Sequence, residues 1–192
     1  MKESIKKHIE ASLDIKQKIS NDENLIDSVE QAIKAIIQSY KNKGTVLVAG
    51  NGGSASDAQH ICGELVNRFY VDRPPLSCIA LSTDTTVITA IGNDYNFNQI
   101  FSKQVEANGN KGDIFIAIST SGNSKNIIEA LKVCRKKEII TIGLTGANQG
   151  EMEEFCDYLI KVPSTETPRI QEGHIVIYHT MCAIIEEHFF GK

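Results

Sequence analysis

A chain of 192 residues with 41% hydrophobic content is long enough to bury one sizeable core, and its length sets the expectation of a single domain over residues 1–192. Lys and Arg total 20 against 24 Asp and Glu, a net charge of −4, which offers no basic surface for an obligatory nucleic-acid partner. Nowhere do 18 apolar residues run together and no apolar stretch follows the charged N-terminus, so the chain reads as cytoplasmic, without a membrane partner.

The first 43 residues are highly charged and helically spaced. Ile5, Ile9 and Leu13 form one stripe, and after the breaker Ser20-Asn21-Asp22 a second runs through Ile26, Val29, Ile33, Ile36, Ile37 and Tyr40. Two amphipathic helices are expected. The first carries Lys and Glu on its other face, so its apolar stripe needs either the chain's own core or a neighbouring subunit. From Gly44 onward short apolar runs alternate with helical stretches: 45–49, 78–81, 114–118, 139–144 and 158–162. Five strands alternating with helices predict a parallel sheet covered on both faces, an α/β fold. In such a sheet ligands bind beyond the carboxyl ends of the strands, here the loops after Ala49, Leu81, Ile118 and Leu144. The segment from Pro168 to Phe190 reads as one long helix with a broad apolar face: Ile170, Ile175, Val176, Ile177, Met181, Ile184 and Ile185. Cys62, Cys78, Cys134, Cys156 and Cys182 are irregularly spaced, with no C-x-x-C pair, and read as reduced, mostly buried small side chains.

Five places carry candidate chemistry. The first, Gly50-Asn51-Gly52-Gly53-Ser54, is a glycine-rich turn that either lets backbone N–H groups approach an anion or is simply a tight strand-to-helix turn. It lacks the Lys-Ser/Thr of a P-loop and the dinucleotide glycine spacing, which disfavours ATP and NAD. The second, Ser119-Thr120-Ser121-Gly122-Asn123-Ser124, places four hydroxyls at a helix start, where a cap needs one; this suits a phosphate monoester. The third pairs His60 with Glu64 at i,i+4, the spacing of a surface ion pair or of two ligands to one metal. In the last helix Gln171, Glu172, His174, Tyr178 and His179 interrupt an apolar pattern, where polar groups cost free energy unless something satisfies them. At about 100° per residue Glu172 lies nearly over His179 and Gln171 about 80° away, so spacing alone does not select Gln171. In the loop from Ile91 to Phe97, Asn93 and Asp94 beside Gly92 read equally as sugar-hydroxyl contacts or as a turn.

In chain order these signposts, with Asp57-Ala58-Gln59-His60, Leu144-Thr145-Gly146 and Arg169-Ile170-Gln171-Glu172, resemble the phosphoheptose isomerases of the sugar isomerase (SIS) domain superfamily over essentially the whole chain. The resemblance implies a flavodoxin-like three-layer α/β/α sandwich with N-terminal helices, residues 1–43, that serve a homotetramer. It implies an aldose–ketose isomerase acting on sedoheptulose 7-phosphate. Ser119, Thr120, Ser121 and Ser124 would hold the phosphate, and Asn51, Gly52, Gly53, Asn93 and Asp94 the sugar chain. His60, Glu64, Gln171 and His179 would hold one Zn2+ per subunit, Glu64 and Gln171 also touching substrate, with Glu64 as base and His179 as acid. Gly63 and Pro168 depart from the family pattern without touching a proposed ligand. The alternative reading is a non-catalytic SIS-domain module that binds phosphosugars or a protein of the replication-initiator type.

Overall fold

The computed structural model describes residues 1–191. Two helices lead, α1 (Lys2–Asn21) and α2 (Glu23–Lys41), broken where the Asp22 carboxylate accepts the Leu25 N–H at 3.1 Å and so caps α2. There follow β1 (Val46–Gly50), α3 (Gly53–Val66), β2 (Cys78–Ala80), α4 (Thr85–Asp94), α5 (Ser102–Asn108), β3 (Ile114–Ile118), α6 (Lys125–Lys137), β4 (Ile140–Thr145), β5 (Tyr158–Lys161) and α7 (Thr167–Phe190). The five strands are all parallel in the order β2-β1-β3-β4-β5, as expected of a flavodoxin-like sandwich.

Alternation along the strands builds the two cores. Val46 and Val48 point to the face covered by α1, α2, α3 and α7, while Leu47 and Ala49 point to the face covered by α4, α5 and α6. Because β1 and β3 are buried along their whole length, they read as continuous apolar runs rather than alternating ones. The strand order reverses between β1 and β3, and the crevice beyond their carboxyl ends is bounded by the glycine turn and the serine loop. No helix among the described residues is long and apolar enough to cross a membrane.

Two expectations need correcting. Residues 91–94 are the last turn of α4 and not a loop; the Asp84 carboxylate caps that helix at Val87 N–H, and Ile88 and Ile91 pack it on the second core. On α7, Ile175 and Ile184 are exposed, so the apolar face is narrower against this chain's own core than the pattern suggests. The Ile5, Ile9 and Leu13 stripe is exposed by more than half, so of the two packings expected for it this chain's own core is not the one used; Ile15 and Ile19 anchor α1.

One buried ion pair joins α7 to the segment that follows α3. The Glu186 carboxylate accepts the N–H groups of Phe69, Tyr70 and Val71 and the Arg73 Nε–H at 2.7–3.1 Å. Burial alone would raise the Glu186 pKa, but these donors outweigh it and hold the carboxyl below its usual range. The Arg73 guanidinium donates onward to the carbonyls of Glu64 and Leu65, closing the end of α3. Both side chains are under 5% exposed, so Glu186→Gln, which strands a buried cation, should destabilise the fold by about 3–5 kcal/mol in urea unfolding. A change below about 1 kcal/mol would show that the guanidinium finds water.

Candidate active site

The crevice is stitched across its floor by a pair of side-chain amides. Asn51, after β1, and Asn126, in the first turn of α6, exchange hydrogen bonds of 2.9 and 2.8 Å. The Asn51 amide, expected on the sugar, is therefore engaged in holding the two loops at a fixed separation. In the serine loop Gly122 takes φ +69°, a left-handed turn that glycine adopts without strain. Ser119 and Ser124 hydroxyls meet at 2.9 Å, and Ser121 Oγ accepts the Asn123 N–H. Ser124 occupies the N-cap of α6 without spending its side chain on the cap, so the hydroxyl and the unsatisfied first N–H groups of α6 are available to an anion. Thr120 is half-buried in the same loop and its carbonyl accepts the Gly146 N–H.

The second half of the site lies where α3 and α7 run side by side in the same direction. Gln171 on α7 meets Gly53 at the start of α3, and two turns further along each helix His179 meets His60. A Cβ at residue 53 would collide with the Gln171 amide nitrogen, so glycine there is what lets that amide reach α3. His60 Nε2 lies 2.9 Å from Glu64 Oε1 and 3.4 Å from His179 Nε2, and the three donor atoms all fall within 4.8 Å of one another. Burial first, then the His60 imidazole, lowers the His179 pKa, with Glu64 opposing. Phe69 tilts against the His179 ring at 5.7 Å, so the segment held by Glu186 forms one wall.

The donor set fits a divalent cation of the zinc type. Two imidazole nitrogens and one carboxylate oxygen are ligands such an ion takes, and bonds of about 2.0–2.1 Å in a tetrahedral arrangement place ligand atoms about 3.3 Å apart. Glu172, the residue periodicity favoured over Gln171, pairs instead with Arg169 at 2.9 Å. His174 stands outside the cluster: it is fully buried, its Nε2 is 3.3 Å from the Thr145 carbonyl, and burial pushes its pKa down to about 4. Asn93 and Asp94 are exposed at the end of α4 and bond to each other at 2.8 Å. Sequence reasoning missed Asn126 and the Arg73–Glu186 pair. For Glu186 a signal existed, since it falls four residues after Cys182 and eight after Tyr178, on the buried stripe of α7.

The SIS domain family model matches residues 8–146. A phosphoheptose isomerase 2 of Campylobacter jejuni is 60% identical over 188 residues, covering 98% of this chain and 94% of that protein. A phosphoheptose isomerase of Aneurinibacillus thermoaerophilus is 57% identical over 99% of this chain and 96% of its own length. The solved phosphoheptose isomerase of Francisella tularensis superposes with a TM-score of 0.92 at 41% identity, covering 96% of this chain and 97% of that one. The family model stops short of α7, whereas the curated relatives match through it, so the likeness extends to both helices of the cluster.

Gly53→Ala should displace the Gln171 amide while changing the unfolding free energy by no more than about 1 kcal/mol, alanine being the better helix former. The check is the Gln171 side-chain NH2 resonance pair, which shifts if the close approach is as described and stays in place if it is not.

Proposed function

This chain belongs to the phosphoheptose isomerases of the SIS-domain family, and we propose from that premise that it is an intramolecular oxidoreductase converting D-sedoheptulose 7-phosphate to D-glycero-D-manno-heptose 7-phosphate. The observation that carries the mechanism is the convergence of His60, Glu64 and His179 from two neighbouring helices. Moving a carbonyl between C1 and C2 requires removing a weakly acidic C–H proton, stabilising the enediolate, and returning a proton to the adjacent carbon.

The serine loop anchors the phosphate through the hydroxyls of Ser119, Thr120, Ser121 and Ser124 and the N–H groups opening α6, without a lysine or arginine among those contacts. Gly52 and Gly53 bring bare backbone to the sugar chain, with Asn93, Asp94 and Gln171 as its polar contacts, while Asn51, its amide engaged by Asn126, fixes the glycine turn beside them. Glu64 has two oxygens with different neighbours: Oε1 faces the His60 ring, which leaves Oε2 to take the proton from C1 and deliver it to C2. His179, whose pKa burial and the His60 imidazole lower, accepts the hydroxyl proton and passes it between the two oxygens. The residues that would hold zinc, one ion per subunit, are His60, Glu64, Gln171 and His179. Zinc bound there would polarise the carbonyl and hydroxyl oxygens and lower the energy of the enediolate. A group that both ligates and moves a proton does the second less well: Glu64 divides the work between Oε1 and Oε2, whereas a neutral His179 accepts the hydroxyl proton only while its Nε2 is free of a cation.

The same reading assigns the protein to the cytoplasm, at the first step of nucleotide-activated heptose synthesis for bacterial surface polysaccharide such as lipopolysaccharide or capsule. It also assigns a homotetramer in which copies of this chain cover the exposed Ile5, Ile9 and Leu13 stripe and the groove between α2 and α7 lined by Ile26, Ile33, Ile37 and Ile184. A non-catalytic binding module is disfavoured, because phosphate recognition has no use for a carboxylate and two imidazoles gathered away from the serine loop.

Purified protein should convert sedoheptulose 7-phosphate, and a chelator should abolish turnover until zinc is restored. Glu64→Gln and His179→Ala should each lower kcat by about 10²-fold or more, whereas Ser119→Ala should act chiefly on KM. A folded wild-type protein that stays inactive with added zinc would overturn the isomerase reading in favour of the binding module.

A further inference from the structure

Behind His60 lies a chain of polar groups that the mechanism above leaves unused. Tyr178, 1% exposed, immediately precedes His179 on α7, and its hydroxyl lies 2.9 Å from His60 Nδ1 and 3.4 Å from Asp57 Oδ1. The tyrosine and His60 rings meet edge to face at 5.5 Å. Asp57 is one turn before His60 on α3 and only 7% exposed; its Oδ2 is buried with no hydrogen-bond partner, and Tyr178 supplies the hydrogen bond to Oδ1.

The tyrosine has one proton to give and can accept another hydrogen bond. If it donates to His60 Nδ1, that ring must carry its proton on Nε2, which then points at Glu64 and closes the position to a cation. If it donates to Asp57, it accepts a hydrogen bond from Nδ1–H, and Nε2 presents a lone pair toward Glu64 and His179. Passing between the two states moves one proton from Nε2 to Nδ1 through solvent, with no net gain or loss. A buried carboxylate short of donors is costly, so Asp57 draws the tyrosine proton to itself and favours the second state. Metal-binding histidines in general donate their other ring N–H to such a partner, which fixes both tautomer and orientation.

We propose that Asp57 and Tyr178 are positioning residues that together set the His60 tautomer, holding Nδ1 protonated so that Nε2 is offered to a divalent cation beside Glu64 and His179. The inference rests on the cation reading of the site.

The test titrates metal-free protein with Zn2+ against a chromophoric chelator, for wild type, His60→Ala, Tyr178→Phe and Asp57→Asn. Tyr178→Phe removes only a hydroxyl. Asp57→Asn turns an acceptor into a group that can donate to the tyrosine oxygen, so the tyrosine proton is left facing Nδ1. Both variants should bind zinc about 10- to 100-fold more weakly than wild type, and excess zinc should restore most of the lost kcat, which it would not do for general damage to the fold. In the zinc-loaded wild type the His60 Nδ1–H resonance should be shifted downfield and slow to exchange, and in Tyr178→Phe it should move upfield and exchange faster. Zinc dissociation constants within twofold of wild type in both variants, or an unchanged Nδ1–H resonance, would overturn the relay. A wild type that binds no zinc, or a His60→Ala variant that binds it equally well, would overturn the cation reading itself and the relay with it.

Discussion

Everything proposed for this site depends on the side-by-side course of α3 and α7. Neither helix has a usable set of groups alone: α3 brings an i,i+4 imidazole and carboxylate, and α7 brings an imidazole and an amide. Their alignment is over-determined by contacts of different kinds. Gly53 admits Gln171 at one end, Tyr178 bonds to His60 in the middle, and at the far end the Glu186 carboxylate binds the segment whose Arg73 closes the last carbonyls of α3. Residues that must hold a geometry to within a fraction of an ångström are thereby placed on rigid elements and supported from behind.

The other half of the site follows from sheet topology. Parallel strands put the glycine turn and the serine loop at the same edge, and the reversal of strand order between β1 and β3 opens the crevice they share. Phosphate can be met there by N–H groups and hydroxyls, so an acidic chain with a net charge of −4 needs no basic patch to hold an anionic substrate. On the proposed reading, the groups assigned to proton transfer along α3 and α7 would act on the opposite end of an extended sugar. The separation would then let one loop supply uniform binding while the helix pair works on the reacting carbons.

Much of this was legible in the residues, for identifiable reasons. Strands buried on both faces leave unbroken apolar runs, and the β3 and α7 boundaries fall within about a residue of the reading. The pairing of His60 with Glu64 was legible because it is local. What periodicity cannot supply is the neighbour: it gives an angle around α7 but not which helix lies at that angle. Periodicity favoured Glu172 and only the family resemblance pointed to Gln171; in the structure Gln171 lies against Gly53 and Glu172 pairs with Arg169. Residues 91–94 read as a loop because Gly92, Asn93 and Asp94 are turn-forming residues, a local preference that the packing of Ile88 and Ile91 on the second core overrides. Asn126 and Arg73 gave no signal, since each acts through a partner more than 70 residues away in sequence.

The central claim is that a carboxylate on α3 and an imidazole on α7 move protons, and conversion of the ketose phosphate in D2O followed by NMR tests it most directly. Glu64 is about one-fifth exposed, so the proton it takes from C1 can exchange with solvent, and the account requires deuterium at C2 of the aldose product. Complete retention of the C1 hydrogen at C2 in every product molecule, with turnover unaffected by Glu64→Gln, would mean that hydrogen migrates without a base and would contradict it.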